Sequence, residues 1–316
     1  MADTVRSEFA SGVAAGALPG ARLLEPRLLA RIDTLELLAR YVVEGFVSGL
    51  HRSPHLGFST DFANHRQYMP GDDIRHIDWR LYARTDRYYL KEFEADTNTN
   101  FLVLLDVSGS MAYRGTPEGV TKLDYAKYIA ACLTYLAHRQ RDRVGLVCFS
   151  DDITDYVPPS ARHLLTSLHA IDRARASGNS ALPKAARQVA DLQRRRSIIL
   201  LLSDFYDSPD ALRDALAPLR DAGHDVLAFH ILDANEVEFP FDASATFEDM
   251  ETGERLPIVP GRQRQQYTTL VQEHLAAVEG LMGEGGVDYF HAVTSRPLDD
   301  LLFAYLVRRE RLRGMR

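Results

Sequence analysis

The chain has 316 residues, 46% of them apolar, with a formal net charge of −7 and a pI near 5.9. That length suits one large α/β domain plus an accessory segment. The acidic balance excludes a protein whose main business is gripping phosphate backbone, so no nucleic-acid partner is expected. No apolar stretch reaches the roughly 18 residues of a membrane helix, so no membrane insertion is expected either.

The first 22 residues read as a loose, Ala/Gly-rich lead, without the basic start and solid apolar segment of a secretion signal. From Pro26, the residues Leu28, Ile32, Leu35, Leu38 and Val42 recur at spacings of three and four, which predicts one amphipathic helix ending near Gly45 or Gly49. With a polar region over 51–76 and the charged, aromatic run RHIDWRLYARTDRYYLKEFEAD, this helix makes an accessory segment over residues 23–95. RYYLKEFEA reads as a strand leading into the first buried one. His51 and His55 stand at metal-binding spacing only if that stretch is helical, and Pro54 and Gly57 argue against it.

From residue 96 onward the pattern is regular. FLVLL, VGLVCF, SIILLLS, DVLAFHI and a shorter VDYFH are buried-strand candidates that alternate with helical stretches. Ala126, Ile129, Ala130, Leu133 and Leu136 mark one helix. Ser208 and Pro209 cap and open another, which Gly223 stops. Such alternation predicts βα units and a doubly wound, mostly parallel sheet. A hairpin around Thr252 and Gly253 forms an insertion near 245–259. A long helix carrying Tyr267, Leu270, Val271, His274, Val278 and Leu281 follows, and a last helix starts at about Pro297. Cys132 and Cys148 fall within apolar patterns and read as buried, unpaired thiols of a reducing compartment. The expected location is cytoplasmic.

The functional signal sits where the first buried strand stops. LVLLDVSGSM delivers Asp106, Ser108 and Ser110 around Gly109, and parallel sheets place ligand sites at the carboxyl ends of their strands. SIILLLSD ends another strand with Asp204, and ASGNSALPKAA puts Gly178, Asn179 and Ser180 in a loop before a helix. Three hydroxyls and two carboxylates meeting at one sheet edge suit a hard, oxygen-seeking dication, Mg²⁺ or Mn²⁺, with one position left for an incoming group. No Cys or His joins them, which argues against zinc. The plainer reading of Asp106, Ser108 and Ser110 is an Asx turn or helix cap.

LDVSGSM resembles the metal-ion-dependent adhesion site of the von Willebrand factor A fold, a Rossmann-like α/β architecture. The resemblance makes Asp106, Ser108 and Ser110 its D-x-S-x-S, Ser180 the counterpart of a Thr and Asp204 the counterpart of its later Asp. A second likeness lies in RQYMPGDDIRHIDWRLYARTDRYYLKEFEAD, with Tyr68, Pro70, Gly71, Asp72, Asp73, Arg75, Ile77, Asp78, Trp79, Ala83 and Arg84. It is similar to the hallmark of the bacterial family called domain of unknown function 58. FEDMETGERLPI and PLDDLLFAYLVRRERL also look familial. The resemblance implies a partner of MoxR-type AAA+ ATPases that acts on client proteins, with a client or ATPase carboxylate completing the ion's shell. Its A-type domain would span 96–316.

Enzyme readings find less support. Ser108 occupies the second carboxylate position of a D-x-D-x-T phosphohydrolase, and no G-x-x-x-x-G-K-[ST] or G-x-S-x-G motif is present. The expectation is a non-enzymatic interaction module with no catalytic residue. The alternatives are a Mg-dependent phosphohydrolase using Asp106 and a structural scaffold whose metal site is empty. The Asp and Arg residues of 70–87 read first as structural ion pairs, and the arginines at 194–196 as a helix end or strand approach.

Overall fold

The computed structural model describes residues 25–32, 34–51, 64–68, 81–82, 87–92, 99–242, 245–258, 260–303 and 305–306. The lead and most of the charged 69–86 run, including Pro70, Gly71, Asp78 and Trp79, lie outside the described residues, as does His55.

The periodicity that predicts one N-terminal helix resolves into two, α1 (Pro26–Leu29) and α2 (Leu35–His51). The break has a local cause: Arg31 and Ile32 close tight turns onto the carbonyls of Leu28 and Leu29, and Thr34 Oγ1 then accepts from the Leu37 amide at 3.3 Å to restart the helix. α2 runs through Gly45, past the first expected stop, because its buried face of Leu35, Leu38, Ala39, Val42, Val43 and Phe46 continues across it. β1 (Asn64–Gln67) pairs antiparallel with β2 (Tyr89–Glu92), a small ribbon apart from the main sheet.

The main sheet is built from β3 (Asn100–Asp106), β4 (Arg143–Phe149), β5 (Ile153–Ser160), β6 (Ser197–Ser203), β7 (Asp225–Leu232) and β10 (Asp288–Val293). Their spatial order is β10-β7-β6-β3-β4-β5. All neighbours are parallel except β5, which runs antiparallel on β4. Side-chain alternation along β3 feeds both layers. Phe101, Val103 and Leu105 face a core shared with α2, α3 (Lys122–Arg139) and α4 (Leu164–Arg173), whereas Leu102 and Leu104 face one shared with α5 (Leu182–Leu192), α6 (Pro209–Asp221) and α8 (Pro260–Glu284). Burial on both faces explains the unbroken apolar runs, each large side chain contributing about 1.5–3 kcal/mol.

Ser208 caps α6 by accepting from the Ala211 amide at 3.3 Å, Pro209 opens it, and Gly223 follows with φ +76°. A short α7 (Ala234–Glu238) carries a full capping box from Asp233 and Glu236. The insertion is the hairpin β8 (Ala245–Glu248) and β9 (Arg255–Ile258), and helical residues at 298–303 and 305–306 close the described chain. Both cysteines are free and buried, and burial pushes the Cys148 thiol up to about 12.

Sequence reading leaves out β1, which falls in the polar 51–76 region, and the antiparallel edge strand, whose Pro158 and Pro159 have the residues of a loop. That edge strand lies so close to β4 that a Cβ on Gly145 would meet the Val157 carbonyl oxygen at 2.6 Å and the Pro159 nitrogen at 2.8 Å, at a register shift between the two strands. Gly145→Ala is therefore expected to lower the unfolding free energy by about 1–3 kcal/mol, read by urea denaturation. A loss within error of zero would mean that the edge strand yields freely.

Candidate functional site

The sheet order dictates where a site can form. The chain leaves β3 for β4 on one side and returns to β6 on the other, so the gap between β3 and β6 is the switch point where helices diverge and a crevice opens. Asp106 is the last residue of β3, and Asp204 directly follows β6. Both are buried, as is Ser108; Ser110 and Ser180 are half-buried.

Hydrogen bonds draw the three predicted segments together. Asp106 Oδ1 accepts from the Ser108 amide at 2.9 Å, so the Asx turn of the plainer reading is present. Its Oδ2 accepts from Ser180 Oγ at 3.1 Å and from Ser203 Oγ at 2.7 Å. The Ser108 and Ser110 hydroxyl oxygens lie 3.1 Å apart. The loops are also joined through backbone: the Gly109 amide donates to the Gly178 carbonyl at 2.8 Å, and the Ser177 amide donates to the Val107 carbonyl at the same distance. Gly178 has φ +73°, so the bend that presents Ser180 favours glycine. Phe205, next to Asp204, holds φ +46°, which turns the chain sharply out of β6.

Burial is the main reason that the Asp106 carboxyl rises to about 6, and the Asp204 charge adds to it, against the lowering effect of bonds from Ser203 and Ser108. The two acids thus sense each other. Asp204 is also held from behind. Lys122, fully buried at the start of α3, reaches its Oδ2 at 2.7 Å and Glu236 Oε1 at 2.8 Å, while the exposed Tyr206 ring lies 4.7 Å from the ammonium. Burial alone would push the lysine down, but the two carboxylates outweigh it and hold Lys122 above its ordinary value. Three carboxylates and one ammonium leave two negative charges in the cluster, the same balance that Asp106 and Asp204 give by themselves.

Sequence reading misses Ser203, Lys122 and Glu236. Each has a signal. Ser203 is the polar end of SIILLLSD, Glu236 completes the D-x-x-E capping box after β7, and Lys122 lies in helical phase with Ala126, Ile129, Ala130 and Leu133, a lysine on an apolar stripe. Below the site, His230 is buried against Phe205, His274, Tyr289 and His291, with its Nδ1 2.7 Å from the Tyr289 hydroxyl; burial, followed by the neighbouring histidines, pushes it down to about 3. Among the described residues, no three His, Cys, Asp or Glu side chains gather as a metal cage, so any ion here depends on hydroxyl oxygens.

A six-stranded, doubly wound sheet with one antiparallel edge and Asp and Ser residues gathered at the switch point is a von Willebrand factor A-type fold. The chain belongs to the family described as "Protein of unknown function DUF58", whose model matches residues 64–277. An uncharacterized protein of Mycobacterium tuberculosis and one of Mycobacterium bovis are each 30% identical over 236 residues, covering 72% of this chain and 73% of the relative. Among solved structures, an aerotolerance-related membrane protein from Bacteroides fragilis is 15% identical, over 64% of this chain and 96% of that one, with a TM-score of 0.43. The SpRpn10 VWA domain is 14% identical, over 65% and 93%, at 0.39. No helix among the described residues is long and apolar enough to cross a membrane.

Proposed function

We propose that the chain is a non-enzymatic, metal-dependent interaction module of the cytoplasm, an adaptor or chaperone-like partner of a MoxR-type AAA+ ATPase that meets the ATPase or a client through an acidic side chain. The supporting observation is the convergence of Asp106, Ser108, Ser110, Ser180 and Asp204 at the sheet's switch point.

The donor set fits Mg²⁺ or Mn²⁺. With Mg–O bonds of about 2.0–2.1 Å, neighbouring corners of an octahedron stand about 3 Å apart. The Ser108 and Ser110 hydroxyl oxygens, both direct ligands in this reading, are spaced at 3.1 Å. Ser108, Ser110 and Ser180 would hold the ion directly, with Asp106 and Asp204 mostly through water. The bound ion supplies a Lewis-acidic position that a carboxylate fills, and the two surplus negative charges keep the loaded site near neutral. Lys122 keeps one Asp204 oxygen occupied and fixes that carboxylate; Ser203 does the same for Asp106.

Affinity capture from native lysate in Mg²⁺ or in EDTA, with Ser108→Ala as control and mass spectrometry as readout, tests the proposal. A specific ATPase or client is expected in Mg²⁺ alone and with the wild type alone. Equal capture in EDTA and with Ser108→Ala would favour the scaffold reading. Phosphoester turnover that vanishes in Asp106→Asn would replace the module with a hydrolase.

A further inference from the structure

The β8–β9 hairpin ends on the site. A Cβ built on Gly109 would lie 2.6 Å from the Met250 carbonyl oxygen, so the hairpin tip rests on the backbone between Ser108 and Ser110, at a place only glycine leaves open. Gly109 is also the residue bonded to the Gly178 carbonyl, so the tip seats where two of the predicted ligand loops join.

The tip is built to hold its shape. Asp249 Oδ1 accepts from the Glu251 amide at 2.8 Å and the Thr252 amide at 3.0 Å, its own amide donates to the Glu254 carbonyl at 2.8 Å, and Gly253 turns the chain with φ +73°. Behind it, Phe247 stacks on Phe239 at 5.7 Å and meets Phe241 edge-on at 5.1 Å. Phe239 in turn packs on Tyr267 at 4.4 Å, whose hydroxyl donates to the Glu236 carbonyl at 2.9 Å. That series of contacts ends at Lys122 and Asp204 through the Glu236 side chain.

Within 248–257 every residue is exposed except Glu251, which is half-buried. Burial and then the charges of Asp204 and Glu251 hold the Asp207 carboxyl above its usual range. Glu251, the half-buried residue next to the Met250 carbonyl that covers Gly109, brings a negative charge to a site that already holds Asp106 and Asp204, a charge repelled in the absence of a cation and drawn in by one.

From these contacts we infer that the β8–β9 hairpin is the chain's own cover for the site, with Glu251 occupying the position a partner's carboxylate takes. Partner binding then requires the tip to lift, and specificity lies in outcompeting an internal ligand. The cover itself rests on geometry; the role of Glu251 as occupant rests on the metal reading above.

Hydrogen–deuterium exchange on the full chain, with Gly109→Ala and Glu251→Gln beside the wild type, separates the two. Mg²⁺ is expected to slow exchange across 249–254 in the wild type. Gly109→Ala, whose new methyl group displaces the Met250 carbonyl, is expected to speed exchange in 249–254 and 107–111 by about tenfold. Unchanged exchange in both segments would overturn the cover. With Mn²⁺ as probe, water-proton relaxation is expected to rise in Glu251→Gln by the contribution of one further coordinated water, and equal relaxation in the two proteins would remove Glu251 as occupant. Failure of the wild type to bind Mn²⁺ would take down the metal reading and the Glu251 role together, leaving exchange to decide the cover. Should Gly109→Ala fail to fold, wild-type amides of 249–254 that exchange as fast as those of an unstructured peptide would sink the cover by themselves.

Discussion

Lys122→Ala is expected to lower the unfolding free energy by about 3–5 kcal/mol, because it strands two carboxylates around a buried gap. Lys122 is fully buried, and both of its short contacts are to acids, at 2.7 and 2.8 Å. Its raised pKa means that the stabilising charge is complete below the unfolded value of 10.5 and is lost only as pH rises through the still higher folded value, so the ion pairs persist at neutral pH. For a chain of this size the melting temperature should fall by roughly 5–8 °C. Lys122→Met separates packing from charge: it restores most of the volume, yet should lose nearly as much stability at pH 7.5, because both carboxylates stay without their ammonium. Adding Asp204→Asn and Glu236→Gln to it should recover much of the loss, since removing a whole buried ionic set costs far less than removing one member. Urea denaturation measures each variant. A loss under about 1 kcal/mol for Lys122→Ala would show that the interior around Glu236 admits water freely.

The second large effect has the opposite sign. Asp106→Asn is expected to stabilise the metal-free protein at pH 7.5 by up to about 3 kcal/mol, through the removal of a buried charge that faces Asp204. The Asp106 carboxyl is held at about 6 against an ordinary 3.8. A folded value above the unfolded one gives stability that is present below pH 3.8 and is lost as pH rises through 6, so the ionised group is a burden on the fold at neutral pH. Only a cation relieves it. The wild type should therefore gain stability with Mg²⁺, by about 2.7 kcal/mol at one hundred times its dissociation constant, while Asp106→Asn gains none. Thermal melts with and without Mg²⁺ read both halves. A metal-free Asp106→Asn protein less stable than the wild type would show that the bonds from Ser180, Ser203 and the Ser108 amide outweigh the charge they surround. The exchange of stability for a charged site is the pattern of functional positions in general.

The sheet was legible because burial on both faces leaves a mark in sequence: Phe101 to Leu105 and Ile198 to Leu202 are aliphatic or aromatic without interruption, and their alternation with helical stretches points to βα units. The carboxyl-edge position of Asp106 and Asp204 follows from the same runs ending in acids. Ser180 was legible through its loop, and the structure brings its hydroxyl to Asp106. The edge strand was hidden because Val157-Pro158-Pro159 has the residues of a loop, and its pairing is decided by the close approach at Gly145, a tertiary event. The division of the N-terminal helix was hidden for another reason: a turn over residues 30–32 keeps the apolar spacing nearly in phase, so periodicity passes across it unbroken. Lys122 was visible as a charge on an apolar stripe, but its two partners lie 82 and 114 residues away, and sequence spacing cannot name them.

The proline-bearing border of the sheet has a consequence for how the molecule meets others. A strand that ends a sheet normally offers a row of free amides, an invitation to any extended peptide. Successive residues of a strand direct their amides to opposite sides, so of the neighbouring Pro158 and Pro159 in β5 only one faces the open border, and a guest strand laid there would meet one gap in its ladder. Recruitment by strand addition is hindered at that point of the flank. The loop-bearing rim, where β3 ends in Asp106 and Asp204 follows β6, offers charge in place of free backbone.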